Sequence, residues 1–275
     1  NFFIRHDFVF QLFPVLMLVL TWFSNYFLIT SLSGNLLQTF SRVNLSFFLT
    51  LLFVFMMPSA AQGFFWMTGI LAYQLGNVIT LLHITFVINF IRKKFFVHRY
   101  FHLLITITLL AAAIGFNEVL MVMLCTFYLL LFLFAPLEKN HRTFFLVLFV
   151  LSLGFSVLVF IAPGNAVRES MFPSNHDFLK SAGFTFMQLF RFLFDWISNL
   201  PLIISTVLLL TFGNELIQKN TFLKNILSVH PLFYNAGIFL VLVICIFPPY
   251  WFTGTLGQHR TINAACFFFL PLWFL

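Results

Sequence analysis

Residues Phe101–Leu137, FHLLITITLLAAAIGFNEVLMVMLCTFYLLLFLFAPL, hold one acid, Glu118, and no other formally charged side chain. At a helical rise of about 1.5 Å per residue the stretch is long enough for two bilayer crossings and too long for one. Ile114-Gly115-Phe116-Asn117, near its middle, offers a turn. The spacing therefore predicts a helical hairpin that turns at Gly115–Asn117. Glu118 then lies just inside the second helix, with Asn117 placed to cap it. Arg92, Lys93, Lys94 and Arg99 precede the hairpin, and Lys139 and Arg142 follow it. By the positive-inside rule both feet stand in the cytoplasm and Glu118 lies at the far face.

Composition leads the same way. The chain is 61% hydrophobic and 8% charged, with a mean hydropathy of +1.04, whereas a soluble domain carries about 25% charged residues. This predicts an all-α, polytopic transmembrane bundle with membrane lipids around it. The net charge of +7 belongs to basic loops, and no basic patch interleaved with aromatics points to nucleic acid. Cys125, Cys245 and Cys266 all sit in apolar runs and read as small packing residues. No phosphate-binding glycine loop, zinc motif or nucleophile elbow is present, and no metal ligand set is assigned.

Working outward from the hairpin, Phe8–Ile29 reads as a first span and Thr30–Val43 as a polar connector. Asn44–Met57 is a shorter apolar run ended by Pro58, and Ser59–Gly63 a small-residue loop. Phe64–Ile91 is either one tilted helix or a helix entered through a short interfacial segment, with Phe64-Phe65-Trp66 suited to a bilayer interface. Thr143–Ile161 is a span and Ala162–Gly183 the longest polar stretch. Phe184–Phe212 is a kinked span, or an interfacial helix to Asn199 followed by a span from Pro201, and Arg191/Asp195 within it read as an i, i+4 ion pair. Pro231–Phe247 is a span, Pro248–Arg260 a loop, and Thr261–Leu275 the start of another span. That makes about nine spans in one transmembrane domain, residues 1–275. The chain lacks an initiating Met and stops inside an apolar run, and so reads as part of a longer protein.

Alternating the spans puts Arg42, Arg92, Lys93, Lys94, Arg99, Lys139, Arg142, Lys219 and Lys224 in the cytoplasm, nine of the 14 basic residues. The loops on the other side hold the tight turns, most of the acids and the arginines closest to span ends. A site is expected at that extracytoplasmic face.

Each candidate has a plainer counterpart. Glu118 is expensive inside an apolar segment, at about 2.5–3.5 kcal/mol on insertion scales, yet it also suits a helix N-terminus. Ala162-Pro163-Gly164-Asn165 turns the chain at a span end and leaves Asn165 and Arg168 near the membrane surface. A guanidinium there suits a phosphate by bidentate hydrogen bonding, or snorkels to a lipid phosphate. His259 and Arg260 repeat the theme before the last span, as phosphate donors or as interfacial anchors. Trp66, Tyr73 and Asn77, at i, i+7 and i+11, share one helical face, which can stack on a sugar ring or sit in the aromatic belt.

Four short patterns occur in order: Phe65-Trp66-x-x-Gly69 with Tyr73, Gly115-x-Asn117-Glu118, Pro163-Gly164-Asn165-x-x-Arg168, and Arg260-Thr261-x-Asn263. Together, over about Trp66 to Asn263, they resemble a bacterial multi-spanning family, a domain of unknown function. That family is similar to the GT-C glycosyltransferases, which take sugar from a polyprenyl-phosphate carrier outside the cytoplasm. The resemblance implies a bacterial inner-membrane protein of GT-C-like fold that moves a sugar from a polyprenyl-phosphate donor to a cell-envelope glycan or lipid. It implies no cofactor beyond that lipid-linked sugar, and it leaves room for a divalent metal. Glu118 would be the catalytic acidic residue. Arg168 and Arg260 would hold the lipid phosphate, with Asn117, Asn165, His259, Trp66 and Tyr73 lining the substrate. One departure is clear: GT-C enzymes place an essential acid in the loop after their first span, and the only acid before Glu118 here is Asp7. Either that acid lies upstream or the protein is not catalytic. A transporter or flippase of a lipid-linked sugar, and a non-catalytic subunit of an envelope complex, are the alternatives.

Overall fold

The computed structural model describes residues 7–95, 98–134, 139–164, 177–227, 231–256 and 259–274. Helices account for nearly all of them, with no strand among the described residues. In chain order they are α1 (Asp7–Ser33), α2 (Thr39–Met56), α3 (Met67–Ile91), α4 (Arg99–Phe116), α5 (Glu118–Phe134) and α6 (Lys139–Phe160). Then come α7 (Phe178–Ile197), α8 (Leu200–Lys219), the short α9 (Thr221–Leu227), α10 (Pro231–Thr253) and α11 (His259–Trp273). Among the described residues six are long and apolar enough to cross a bilayer. The α7–α8 pair, bent by 64°, makes a seventh if it counts as one span. This is a multi-pass membrane protein.

Local chemistry sets the helix ends. Gly34 takes φ +61 just after α1, a left-handed geometry that favours glycine. Pro58 forces Met57 to ψ 135 and stops α2. The connector to α3 is not the plain loop expected at Ser59–Gly63. Ala61–Phe65 forms a π-helical turn, Trp66 breaks it at φ −97, ψ 112, and a second π turn at Ile70–Gln74 lies inside α3. Of the two readings of Phe64–Ile91, the separate entry segment is therefore the one observed.

Helix α3 is the axis of the bundle. Its span is 56% buried, against 22–33% for the other five candidate spans, whose outer faces carry Phe55, Leu104, Leu158 and Phe160. Polar contacts pin α3 to its neighbours: Gln74 Nε2 donates to Thr21 Oγ1 at 2.9 Å, and Asn89 Nδ2 to Ser31 Oγ at 2.8 Å. Each such bond in a membrane bundle is worth about 0.6 kcal/mol.

The hairpin forms as expected, but its turn is tighter. Gly115 is still helical, and Asn117 alone separates α4 from α5. Thr106 and Tyr128, equally far along the chain from Asn117, both reach the buried ring of His83 on α3. Nδ1 lies 3.0 Å from the Thr106 carbonyl, and Nε2 meets the Tyr128 hydroxyl. A carbonyl only accepts, so Nδ1 carries the proton and Nε2 accepts from Tyr128. That shared partner makes α4 and α5 antiparallel. Helix α6 then returns alongside α5, with Cys125 Sγ 3.3 Å from Ser156 Oγ.

Three expectations fail locally. Helix α10 continues through Pro248 and Pro249 to Thr253, so the loop expected from Pro248 starts only at Gly254. Neighbouring groups in a membrane bundle absorb such freed carbonyls. Arg191 lies over the Phe192 ring at 5.7 Å and forms no ion pair with Asp195. Asn77 does not share a face with Trp66: it is 1% exposed and donates to Gln74 Oε1 at 3.4 Å, because the break and π turn defeat α-helical spacing.

Candidate functional site

The site is built on the irregular backbone between α2 and α3. Asn263 on α11 holds that connector through the backbone of one residue. Its Oδ1 accepts from Ser59 N at 3.1 Å and its Nδ2 donates to Ser59 O at 2.7 Å. Ser59 Oγ in turn accepts from Gln62 N at 3.3 Å, and Gln62 Oε1 accepts from Arg260 N at 3.3 Å. Gly69 lets the two π turns close on each other, since a Cβ there would stand 2.2 Å from the Gln62 carbonyl oxygen. Trp66 is thereby presented at the break, 40% exposed, with Tyr73 half-buried beyond it.

Arg260, the second residue of α11, reaches between these two rings. Its Cζ lies 4.6 Å from the Trp66 ring centroid and 4.9 Å from that of Tyr73. Guanidinium-on-ring contacts of this kind contribute about 0.5–1 kcal/mol each, and more when desolvated. Nε and Nη1 of the same side chain are buried and meet no hydrogen-bond acceptor among the described residues. A buried charged donor left without a partner costs about 1–3 kcal/mol or more. The aromatic pair supplies a home for the charge and nothing for its N–H groups to donate to. The arrangement is suited to an incoming anion.

The hairpin apex is fastened to the same place. Asn117, 7% exposed, caps α5 as expected, its Oδ1 accepting from Leu120 N at 3.0 Å. Its Nδ2 donates to the carbonyl of Ala72 at 2.8 Å, inside the second π turn and next to Tyr73. Helix α3 comes close enough for this because residue 76 is glycine: a Cβ there would lie 2.7 Å from Leu120 and 3.0 Å from Phe116. Glu118 is the first residue of α5 and half-buried, where the helix N-terminus favours a carboxylate by about 0.3–1 kcal/mol.

The structure thus gathers Trp66, Tyr73, Asn117, Glu118 and Arg260 at one end of the bundle. His259 stands beside them as the exposed first residue of α11. Helix α6 runs antiparallel to α5, so Pro163 and Gly164 emerge at this end too. Asn165 and Arg168 lie outside the described residues. Among the described residues no three His, Cys, Asp or Glu side chains gather as a metal ion would require. Sequence reasoning missed Gln62 and Ser59, which hold Arg260 and Asn263 in place. Only the spacing of small and polar residues over Ser59–Gly69 hinted at them. Comparison with protein-family models, with curated proteins and with solved structures finds no match to this chain.

Proposed function

We propose that this chain is a GT-C-like membrane glycosyltransferase that moves a sugar from a polyprenyl-phosphate carrier to a cell-envelope glycan or lipid. The observation that carries the reading is Arg260, clamped between Trp66 and Tyr73 with buried donors facing no acceptor. Its unmet donors match a phosphate oxygen, and Glu118 enters the same end of the bundle through Asn117. In this mechanism the acceptor hydroxyl gives its proton to Glu118 and its oxygen attacks the anomeric carbon. The bond from that carbon to the phosphate oxygen breaks, and the polyprenyl phosphate leaves with the electron pair toward Arg260. Anomeric configuration inverts. Arg168 is the second cation proposed for the phosphate, and Asn165 and His259 are proposed donors to the substrate. The site faces away from the cytoplasm of a bacterial inner membrane, because the opposite end of the bundle carries Arg42, Arg92, Lys93, Lys94 and Arg99. The nine-span architecture adds α5 and α11 to the seven crossings above.

The test is transfer of radiolabelled sugar from polyprenyl-phosphate donors by the purified chain in proteoliposomes, wild type against Glu118→Gln. The expected result is a fall of about 100-fold or more in transfer with donor binding retained, the range for a general base. Transfer unchanged in the variant overturns the role of Glu118. Donor binding without transfer by wild type, for every donor, assigns the site to a carrier or flippase of the same lipid-linked sugar.

A further inference from the structure

Asn77 and Thr80, near the middle of the α3 span, are 1% and 0% exposed. Hydrogen bonding fixes which way the Asn77 amide points. Thr21 Oγ1 on α1 gives its proton to the Met17 carbonyl at 2.7 Å, so it accepts from Gln74 Nε2 at 2.9 Å. Gln74 Oε1 is thereby left to accept, and Asn77 Nδ2 donates to it at 3.4 Å. Turning the Asn77 amide over would set two carbonyl oxygens against each other. Asn77 Oδ1 is therefore the free end of a chain that starts on α1, buried and without a donor among the described residues.

Thr80 Oγ1 is in the same state. Other buried helical threonines turn the hydroxyl inward: Thr21, Thr50, Thr85, Thr106 and Thr185 each donate to the carbonyl four residues back. Thr80 does not, so its oxygen keeps its lone pairs open. Helix α3 is regular from Leu75 onward, and side chains three apart on a helix stand about 5–6 Å from each other at Cβ. One ligand the size of water reaches both oxygens at hydrogen-bonding distance. Gln74, Asn77 and Thr80 are all neutral, which suits a water or a monovalent cation and lacks the carboxylates that divalent ions favour. The π turn at Ile70–Gln74 interrupts α3 just before them, and interrupted spans hold small ions near the bilayer midplane.

We propose that Asn77 Oδ1 and Thr80 Oγ1 share one small ligand that takes a lone pair from each, as a hydrogen-bonding water or as a sodium ion. Occupancy completes the polar chain from α1 into α3. Gln74 adjoins Tyr73, so it also steadies the turn that presents Tyr73 to Arg260. The site is independent of the sugar-transfer reading.

The experiment is thermal unfolding of the full chain in neutral detergent micelles, for wild type and near-isosteric variants. Thr80→Val deletes the hydroxyl. Thr85→Val, whose hydroxyl donates to Leu81 O, measures the same change where no ligand is held. Without a ligand, valine at 80 relieves a buried orphan and the midpoint stays or rises; with the ligand, it falls several degrees further than in Thr85→Val. Asn77→Leu combined with Thr80→Val tests the sharing, and the double variant is expected to fall by less than the sum of the single shifts. Sodium chloride against choline chloride at matched ionic strength identifies the ligand. A wild-type midpoint raised by sodium, with the rise lost in Thr80→Val, names the ion by mass action. A Thr80→Val fall of equal size in both salts names the water. A Thr80→Val midpoint at or above that of Thr85→Val, or additive shifts in the double variant, overturns the site. If Thr80→Val does not fold, Thr80→Ser, which keeps the oxygen, is expected to fold, and its failure overturns the site too.

Discussion

Replacing Arg260 with methionine exerts two effects of opposite sign, and the structure gives a magnitude for each. Methionine fills much the same space between Trp66 and Tyr73 but removes the charge. The fold loses two guanidinium–ring contacts, at 4.6 and 4.9 Å, of about 0.5–1 kcal/mol each. It regains about 1–3 kcal/mol for each buried donor that no longer lacks an acceptor, here Nε and Nη1. Thioether contacts with the rings return about 0.3–1.5 kcal/mol more. Arg260→Met is therefore expected to leave the unfolding midpoint unchanged or to raise it. Phosphate binding moves the other way, by about 1.5–3 kcal/mol for hydrogen bonds to a charged group. At tenfold per 1.4 kcal/mol this is about 10–100-fold in affinity. Thermal unfolding in detergent, paired with equilibrium binding of a radiolabelled polyprenyl-phosphate sugar, reads both effects on one preparation. Arg260→Lys keeps the charge but not the planar fork and should fall between. A methionine variant that unfolds many degrees earlier, while its folded fraction binds the donor as tightly as wild type, refutes the reasoning and makes Arg260 a structural residue.

Asn263→Ala should behave in the opposite way. It leaves Ser59 N without its acceptor, at about 1–3 kcal/mol, and takes one of two donors from Ser59 O, which keeps Gly63 N at 3.1 Å, so the midpoint drops and donor binding drops with it. A midpoint within a degree of wild type would show that the connector is not held by Asn263. Lys93→Gly places glycine where φ is +54 and should raise stability by about 0.5–1 kcal/mol, the left-handed penalty less the extra freedom of glycine in the unfolded chain. Chemical or thermal unfolding checks the sign, and a destabilised variant would mean that the lysine side chain holds that turn.

The hairpin was legible because its signals are local: an apolar run of double length, a small-residue turn and an acid preceded by a capping asparagine. The end of α2 was legible from Pro58 for the same reason, whereas α1 runs on to Ser33 and α2 starts at Thr39, both inside the Thr30–Val43 stretch that reads as a polar connector. What escaped was every feature that departs from an α-helical period or joins distant segments. Two π turns around Trp66 shift the register of all that follows, so Asn77, which shares a face with Trp66 on paper, is buried against Gln74. The pairing of Asn263 with Ser59 spans most of the chain and leaves no trace in either local pattern. His83 meeting Tyr128 is equally silent, since each reads alone as one polar residue in an apolar run. The α10 prolines mislead for a different reason: a packed membrane bundle tolerates proline inside a helix where a solvated one does not.

The two ends of the bundle use arginine differently, and that contrast locates the site better than charge alone. At the basic end Arg92 donates to the last carbonyls of α1, and Arg42 Nη2 to Gly34 O just beyond them, although Arg42 Nε, like two donors of Arg260, is buried without an acceptor among the described residues. Deleting either removes a cap, and the fold has reason to keep them whatever the protein does. Arg260 donates to nothing among the described residues through its Nε and Nη1, although both are buried. A snorkelling anchor would extend its guanidinium to the lipid phosphates and leave those atoms wet. A structural arginine would find a carbonyl, as Arg92 does. Arg260 does neither, and five side chains from three segments hold it in that state: Trp66, Tyr73, Gln62, Asn263 and, through Ala72, Asn117. Such support is hard to explain for a residue without a ligand. The end of the bundle that holds Arg260 is where an anionic substrate is expected to bind.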